Sequence, residues 1–166
     1  NIPFLTTVEA FALKGNNFES ERTAFIAGDD AAQRKLIDAN KSRLTLANVD
    51  GVSFAGGPRF IDTLEWFASP NDVARLMIDL RNRNSPTAMS AMAINLGVNP
   101  GATRDWTWLG YKGGSELGVI SMSLLGQRKS DGKWFVVTAS WNNPAAPVAT
   151  DTLVGLVTRL LALAAK

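Results

Sequence analysis

Residues 110–118 read GYKGGSELG and hold the densest set of groups in the chain that could do chemistry. A tyrosine, a lysine, two adjacent glycines and a serine stand between two apolar runs. Three arrangements would use them. Gly113, Gly114 and Gly118 could make a wide turn. They could cradle a phosphate, but they lead into a strand-like run, so no helix N-terminus would receive the anion. The spacing also fits neither GxxxxGK(S/T) nor GxGxxG. In the third arrangement the stretch is an exposed strand edge. Glycines there let a ligand approach the backbone. Amide N–H groups could then bind an acyl group in extended form and face a developing oxyanion. Lys112 would supply charge for an anionic group of the substrate.

Composition narrows that chemistry. The chain has no His and no Cys. This excludes a Ser–His–Asp triad, a thiolate nucleophile, a zinc site of imidazole or thiolate ligands, and a disulfide framework. Neither cofactor nor metal is expected. A serine activated by a lysine is one arrangement that works without His. The one Ser-x-x-Lys here is Ser130 to Lys133, and it spans SDGK, a hairpin-turn sequence. On a hairpin the two side chains would not stack on a helical face.

Seventeen Lys and Arg are scattered among fifteen Asp and Glu, for a net charge of +2. The densest basic stretch, Arg81 to Arg83, follows Asp79 and reads as a solvated helix end, which argues against a nucleic-acid partner. No apolar run approaches the roughly 20 residues that span a bilayer. The opening NIPFLTT lacks the basic start and apolar core of a signal peptide, so it says nothing about export.

The elements that must position these groups follow from periodicity and caps. Thr6 and Glu9 are spaced as a capping box, and Gly15 ends that helix. Residues 19–27 form a second helix, stopped by Gly28. Asp29 or Asp30 caps a third, with Ala32, Leu36 and Ile37 at helical spacing. Residues 41–62 read as an irregular, omega-like loop. Ser69-Pro70 opens a helix with the stripe Val73, Leu76, Met77 and Leu80. Ser85-Pro86 opens another with Met89, Met92, Ala93 and Leu96, and Gly97 as its stop.

From residue 106 the period changes to two. Strands are expected at 106–112, 119–125 and 133–141, with Asp-Gly turning the last hairpin. In the first, Trp106, Trp108 and Gly110 share one side. Trp106, Trp108, Trp134 and Trp141 read as sheet core and cross-strand pairs. Thr150 or Asp151 caps a final helix, with Leu153, Leu156, Val157, Leu160 and Ala164 inward. The chain is therefore α+β. Residues 1–105 are mostly helical. Residues 106–166 form an antiparallel three-stranded meander and a C-terminal helix.

The runs YKGGSELGVISMSL and WFVVTASWNNP, the DG hairpin between them and the apolar last helix resemble the C-terminal part of the serine β-lactamase and penicillin-binding protein superfamily. More narrowly, they resemble the class A β-lactamase-related serine hydrolases. EWFASPNDVARLM, residues 65–77, is similar to the helix after that family's active-site omega loop. The resemblance covers residues 59–166, and residues 1–58 continue the helical and omega region.

It implies a β-lactamase/transpeptidase-like fold and acyl transfer through an acyl-serine on a β-lactam, a peptidoglycan peptide or a small ester. Lys112, Gly113 and Gly114 would stand for the family's Lys-Thr-Gly triad. Lys112 would position the substrate's carboxylate and tune the proton network. The backbone N–H of Ser115 would be one of two oxyanion donors. The strand, through Glu116, would bind the substrate amide.

Gly113 departs from the family's threonine, and Ser115 could replace the missing hydroxyl. Glu65 is the nearby carboxylate that could activate a deacylating water. Its setting, DTLEWF, does not match Glu-x-x-Leu-Asn, and its ordinary reading is an exposed residue before a helix. The family's Ser-x-x-Lys and Ser-Asp-Asn lie upstream of the matched region. The nucleophile is therefore expected outside this chain, on an N-terminal part of the same protein, with the chain alone inactive. A periplasmic or secreted location is implied by the resemblance only. The alternative is a non-catalytic β-lactamase-like module that binds a ligand or partner without turnover.

Overall fold

A computed structural model describes residues 3–166, so the first two residues of NIPFLTT lie outside it. The chain divides into two compact units. One runs through Phe67 and includes Asn143–Pro147; the other is Ala68–Asn142 with Val148–Lys166. The two central helices pack on the sheet and belong to the second unit with it.

In the first unit, α1 (Thr7–Lys14) opens on the expected capping box: Glu9 N–H donates to Thr6 Oγ1 at 3.3 Å and Thr6 N–H to the Glu9 carboxylate at 2.7 Å. Gly15 closes it. Helix α2 (Glu19–Ala27) and α3 (Asp30–Asn40, capped by Asp29) follow as the sequence reads. Leu5, Ala12, Leu13, Phe18, Phe25 and Leu64 form the core.

The stretch 41–62 has more order than its composition suggests. It contains two 3₁₀ turns, Leu46–Asn48 and Gly51–Phe54. Its end is pinned at Phe60, which takes φ +54, a conformation unusual for a bulky residue. The guanidinium groups of Arg22 and Arg59 lie 4.4 and 5.5 Å from its ring centroid. Arg59 also donates to Lys14 O at 3.1 Å and to Asn16 Oδ1 at 2.9 Å. Hydrogen bonds and cation–π contacts thus hold a strained residue in place.

The second unit contains α4 (Pro70–Arg83), α5 (Pro86–Met92), β1 (Trp106–Glu116), β2 (Val119–Arg128), β3 (Trp134–Asn142) and α6 (Thr150–Ala164). The sheet is antiparallel in the order β1-β2-β3. Ser69 and Asp72 form a capping box at the start of α4. One sheet face, with Leu109, Ile120, Met122 and Leu124, packs on Leu153, Val157 and Leu161 of α6. The other face carries Gly110, Leu125 and Val136, and α4 and α5 lie against it.

Several sequence expectations are corrected here. Strand β1 runs through Glu116, four residues beyond its expected end, and only Leu117 and Gly118 turn the chain. Gly118 has φ +87, which favours glycine. A register shift between Trp106 and Trp108 breaks the alternation. It turns Trp106 onto the α6 face, 6.1 Å from Phe135 edge to face.

Helix α5 ends at Met92, not at Gly97. In α6 the inward stripe is Leu153, Val157 and Leu161, while Leu156 and Leu160 are 48% and 46% exposed. That helix is apolar nearly all round, so two stripes satisfy the i, i+3/i+4 spacing and contact with the sheet decides between them. Its N-cap is Ala149 without a side-chain bond, and Asp151 sits in the first turn, where it complements the helix dipole.

Candidate active site

Residues Lys112 to Glu116 lie in the extended part of β1, an edge strand of this sheet. An edge strand turns alternate N–H and C=O groups outward. Register places Lys112 opposite Ser123 and Ser123 opposite Thr138. The next row is Gly114, Ser121 and Ser140. One half of the face that meets α4 and α5 is therefore a floor of hydroxyls beside a lysine. Ser123 is 2% exposed, and its Oγ lies 3.0 Å from Thr138 Oγ1, so this buried pair is mutually satisfied. Ser140 Oγ donates to Ile120 O at 3.3 Å.

Lys112 is exposed, and its Nζ donates to the carbonyl of Gly113. Gly114 and Ser115 are exposed as well. The two glycines after Lys112 have different reasons. A Cβ on Gly114 would meet nothing within 4 Å, so the strand surface there is bare for a ligand. A Cβ on Gly113 would stand 1.9 Å from Tyr111 Oη, 2.5 Å from Tyr111 Cζ and 2.8 Å from Ser121 O. Tyr111 therefore dictates the glycine where the resembling family has threonine. Burial raises the phenol of Tyr111 above its usual range, which keeps it protonated at neutral pH. The side chain of Ser115 belongs to the opposite face, beside Gly113 and opposite Ile120, so it does not share the Lys112 surface.

Glu65 lies in the first unit. It is not the exposed residue of its ordinary reading: its side chain is 15% exposed and paired with the buried Lys14. Its Oε2 also accepts the N–H of Trp66 at 3.1 Å. Together with Leu5, Phe25, Gln33 and Trp66 it lines a pocket of 340 Å³ within that unit. Ser130 and Lys133 are exposed on the β2–β3 turn, and Lys133 Nζ sits 3.5 Å from the Asp131 carboxylate.

Sequence reasoning did not single out Ser121, Ser123, Thr138 and Ser140. Their alternation in SMS and TAS was the available signal, and strand register joins the two runs beneath Lys112. No group of three or more Asp and Glu that could hold a metal occurs among the described residues. None of the helices there is long and apolar enough to cross a membrane. No family model matches the chain, and no curated protein does.

Proposed function

We propose that this chain forms the electrophile-stabilising wall of an acyl-transfer site and is the C-terminal portion of a β-lactamase-like serine hydrolase. The observation that carries the reading is the run Lys112 to Ser115, extended on an edge strand, with an exposed lysine beside a floor of hydroxyls and a bare glycine. In this reading a serine Oγ attacks the acyl carbon of a β-lactam, peptidoglycan peptide or small ester and gives its proton to a base. The carbonyl oxygen becomes an oxyanion that accepts from the Ser115 N–H. Collapse expels the leaving nitrogen or oxygen with a proton, and water or an acceptor amine resolves the acyl-serine. Lys112 holds the substrate's carboxylate.

In this reading the attacking serine belongs to a preceding segment of the same protein, because Ser130 and Lys133 sit exposed on a turn. The chain alone is then inactive, and a periplasmic or secreted location rests on the family resemblance alone. The ion pair of Glu65 with Lys14 supports a structural part for that carboxylate and lends nothing to a deacylating one. The test is a fluorescent penicillin or fluorophosphonate, applied to the protein with its preceding segment and followed by mapping of the labelled residue. A labelled serine in a Ser-x-x-Lys upstream of Asn1 supports the reading; no labelled serine there overturns it. A second reading is a binding module without turnover, and an aromatic cleft at the other end of the same sheet face favours it.

A further inference from the structure

Two strand pairings put Trp108, Gln127 and Trp134 in one row on the sheet face that also carries Lys112. The two indoles flank the glutamine, with ring centroids 5.5 Å apart and planes inclined at 49°. They pack against one another beside the amide. Arg81, Asn82 and Asn84 from the end of α4 and Met89 from α5 complete a cleft of 510 Å³. That volume lies in the range of small-ligand sites, roughly 300–1,000 Å³. Both indoles are half-buried, so each keeps surface for a ligand.

The polar groups of the cleft are already oriented. Gln127 Nε2 donates to Gly132 O at 3.1 Å, which fixes the amide and leaves its oxygen as an acceptor. Asn82 Oδ1 accepts from Arg81 at 3.0 Å, which leaves the NH₂ of Asn82 as a donor. Asn84 takes the left-handed conformation that ends α4, with φ +46. Its side-chain amide has no hydrogen-bond partner among the described residues. The Arg81 guanidinium lies 5.2 Å from the Trp134 ring centroid and is engaged there. No carboxylate lines the cleft.

This combination selects a ligand class. A wholly apolar ligand would strand three amides without partners, at the cost of their desolvation. An anion would meet a single cation that already rests on an indole. A sugar ring offers an apolar C–H face to the indoles and hydroxyls that both donate and accept, as the amides do. We propose that this cleft is a carbohydrate subsite taking one hexopyranose ring, stacked on Trp108 and Trp134 and hydrogen-bonded by Gln127, Asn82 and Asn84. Trp108 and Lys112 are four positions apart on one strand, about 13 Å. The inference stands without the acyl-transfer reading. If both hold, a substrate carrying sugars would span the two ends of the face, and peptidoglycan becomes the favoured substrate over an isolated β-lactam.

The experiment is a titration with β-1,4-linked N-acetylglucosamine tetramer and with cellotetraose, read by tryptophan fluorescence and by indole N–H resonances. A saturable change with at least one of them is expected. Trp134→Leu and Asn84→Gly should each weaken it about tenfold. Asn84→Gly suits the positive φ, so it reports on the side chain even if Trp134→Leu lowers stability. Trp141→Phe, on the opposite face of the sheet, should leave the affinity unchanged. No saturable change with either sugar, or full affinity in Asn84→Gly and Trp134→Leu, overturns the proposal.

Discussion

The phenol of Tyr111 lies across Gly113 so closely that no side chain fits there: a Cβ on residue 113 would stand 1.9 Å from Tyr111 Oη. The same ring also covers Gly97, where a Cβ would stand 2.8 Å from Cζ. Tyr111 is thus held between two glycines, one of them in the Lys-Gly-Gly run. Packing against Tyr111 thus explains a glycine at position 113, where the proposed reading would expect the threonine of Lys-Thr-Gly.

Gly113→Thr should therefore destabilise the protein by about 1–3 kcal/mol, the usual cost of overpacking. The Tyr111→Ala background should remove most of that cost. Urea unfolding of the two single variants and the double variant forms the cycle. Equal costs in both backgrounds would show that Tyr111 is not the obstacle.

Lys14 is fully buried, and its ammonium pairs with Glu65 across fifty-one positions of chain. Lys14→Met should cost roughly 3 kcal/mol, because it leaves a mostly buried carboxylate without its cation. Lys14→Met with Glu65→Leu should recover much of the loss. Chemical denaturation decides this, and a double variant no better than the single one would contradict it.

The two stripes of α6 make opposite predictions. Leu161 is fully buried and Leu160 is 46% exposed. Leu161→Ala should cost about 2–5 kcal/mol and Leu160→Ala under about 1 kcal/mol. Similar losses would return Leu160 to the core, where the sequence alone would put it.

Arg128 clasps Asp131 with two hydrogen bonds of 2.9 and 2.7 Å and reaches the carbonyl of Ala164 at 3.0 Å. The guanidinium holds the Asp131 carboxyl well below the usual carboxylate range. A carboxyl depressed in the folded state stabilises above its unfolded pKa, about 4, and loses that contribution as pH falls through the folded value. Asp131→Asn should lower the melting temperature at pH 7, and the difference should shrink as the pH drops below 4. A difference independent of pH would rule out this linkage.

Much of the fold is legible in the sequence because local chemistry and tertiary structure agree. Thr6 with Glu9, Asp29, and Ser69 with Asp72 cap their helices as read, and the Asp-Gly turn sits where it is expected. What is not legible depends on register. Trp106 changes face because a bulge adds a residue, and alternation cannot reveal a bulge. The α6 stripe is ambiguous in a helix apolar on most sides. Lys112 and Gly114 stand out by type, but Ser123 and Thr138 join them only through strand pairing. Lys14 and Glu65 meet only through the fold of the helices and turns between them, and no spacing rule links them.

The most direct measurement is the rate of covalent labelling by a fluorescent penicillin or fluorophosphonate, using the protein together with the preceding segment that the proposal requires. Lys112→Ala should slow acylation about 100-fold, the scale of one lost electrostatic contact to the transition state. Ser130→Ala should label at the parent rate. Labelling of Lys112→Ala at the parent rate, or its loss in Ser130→Ala, would contradict the assignment of Lys112 to the acyl-transfer wall.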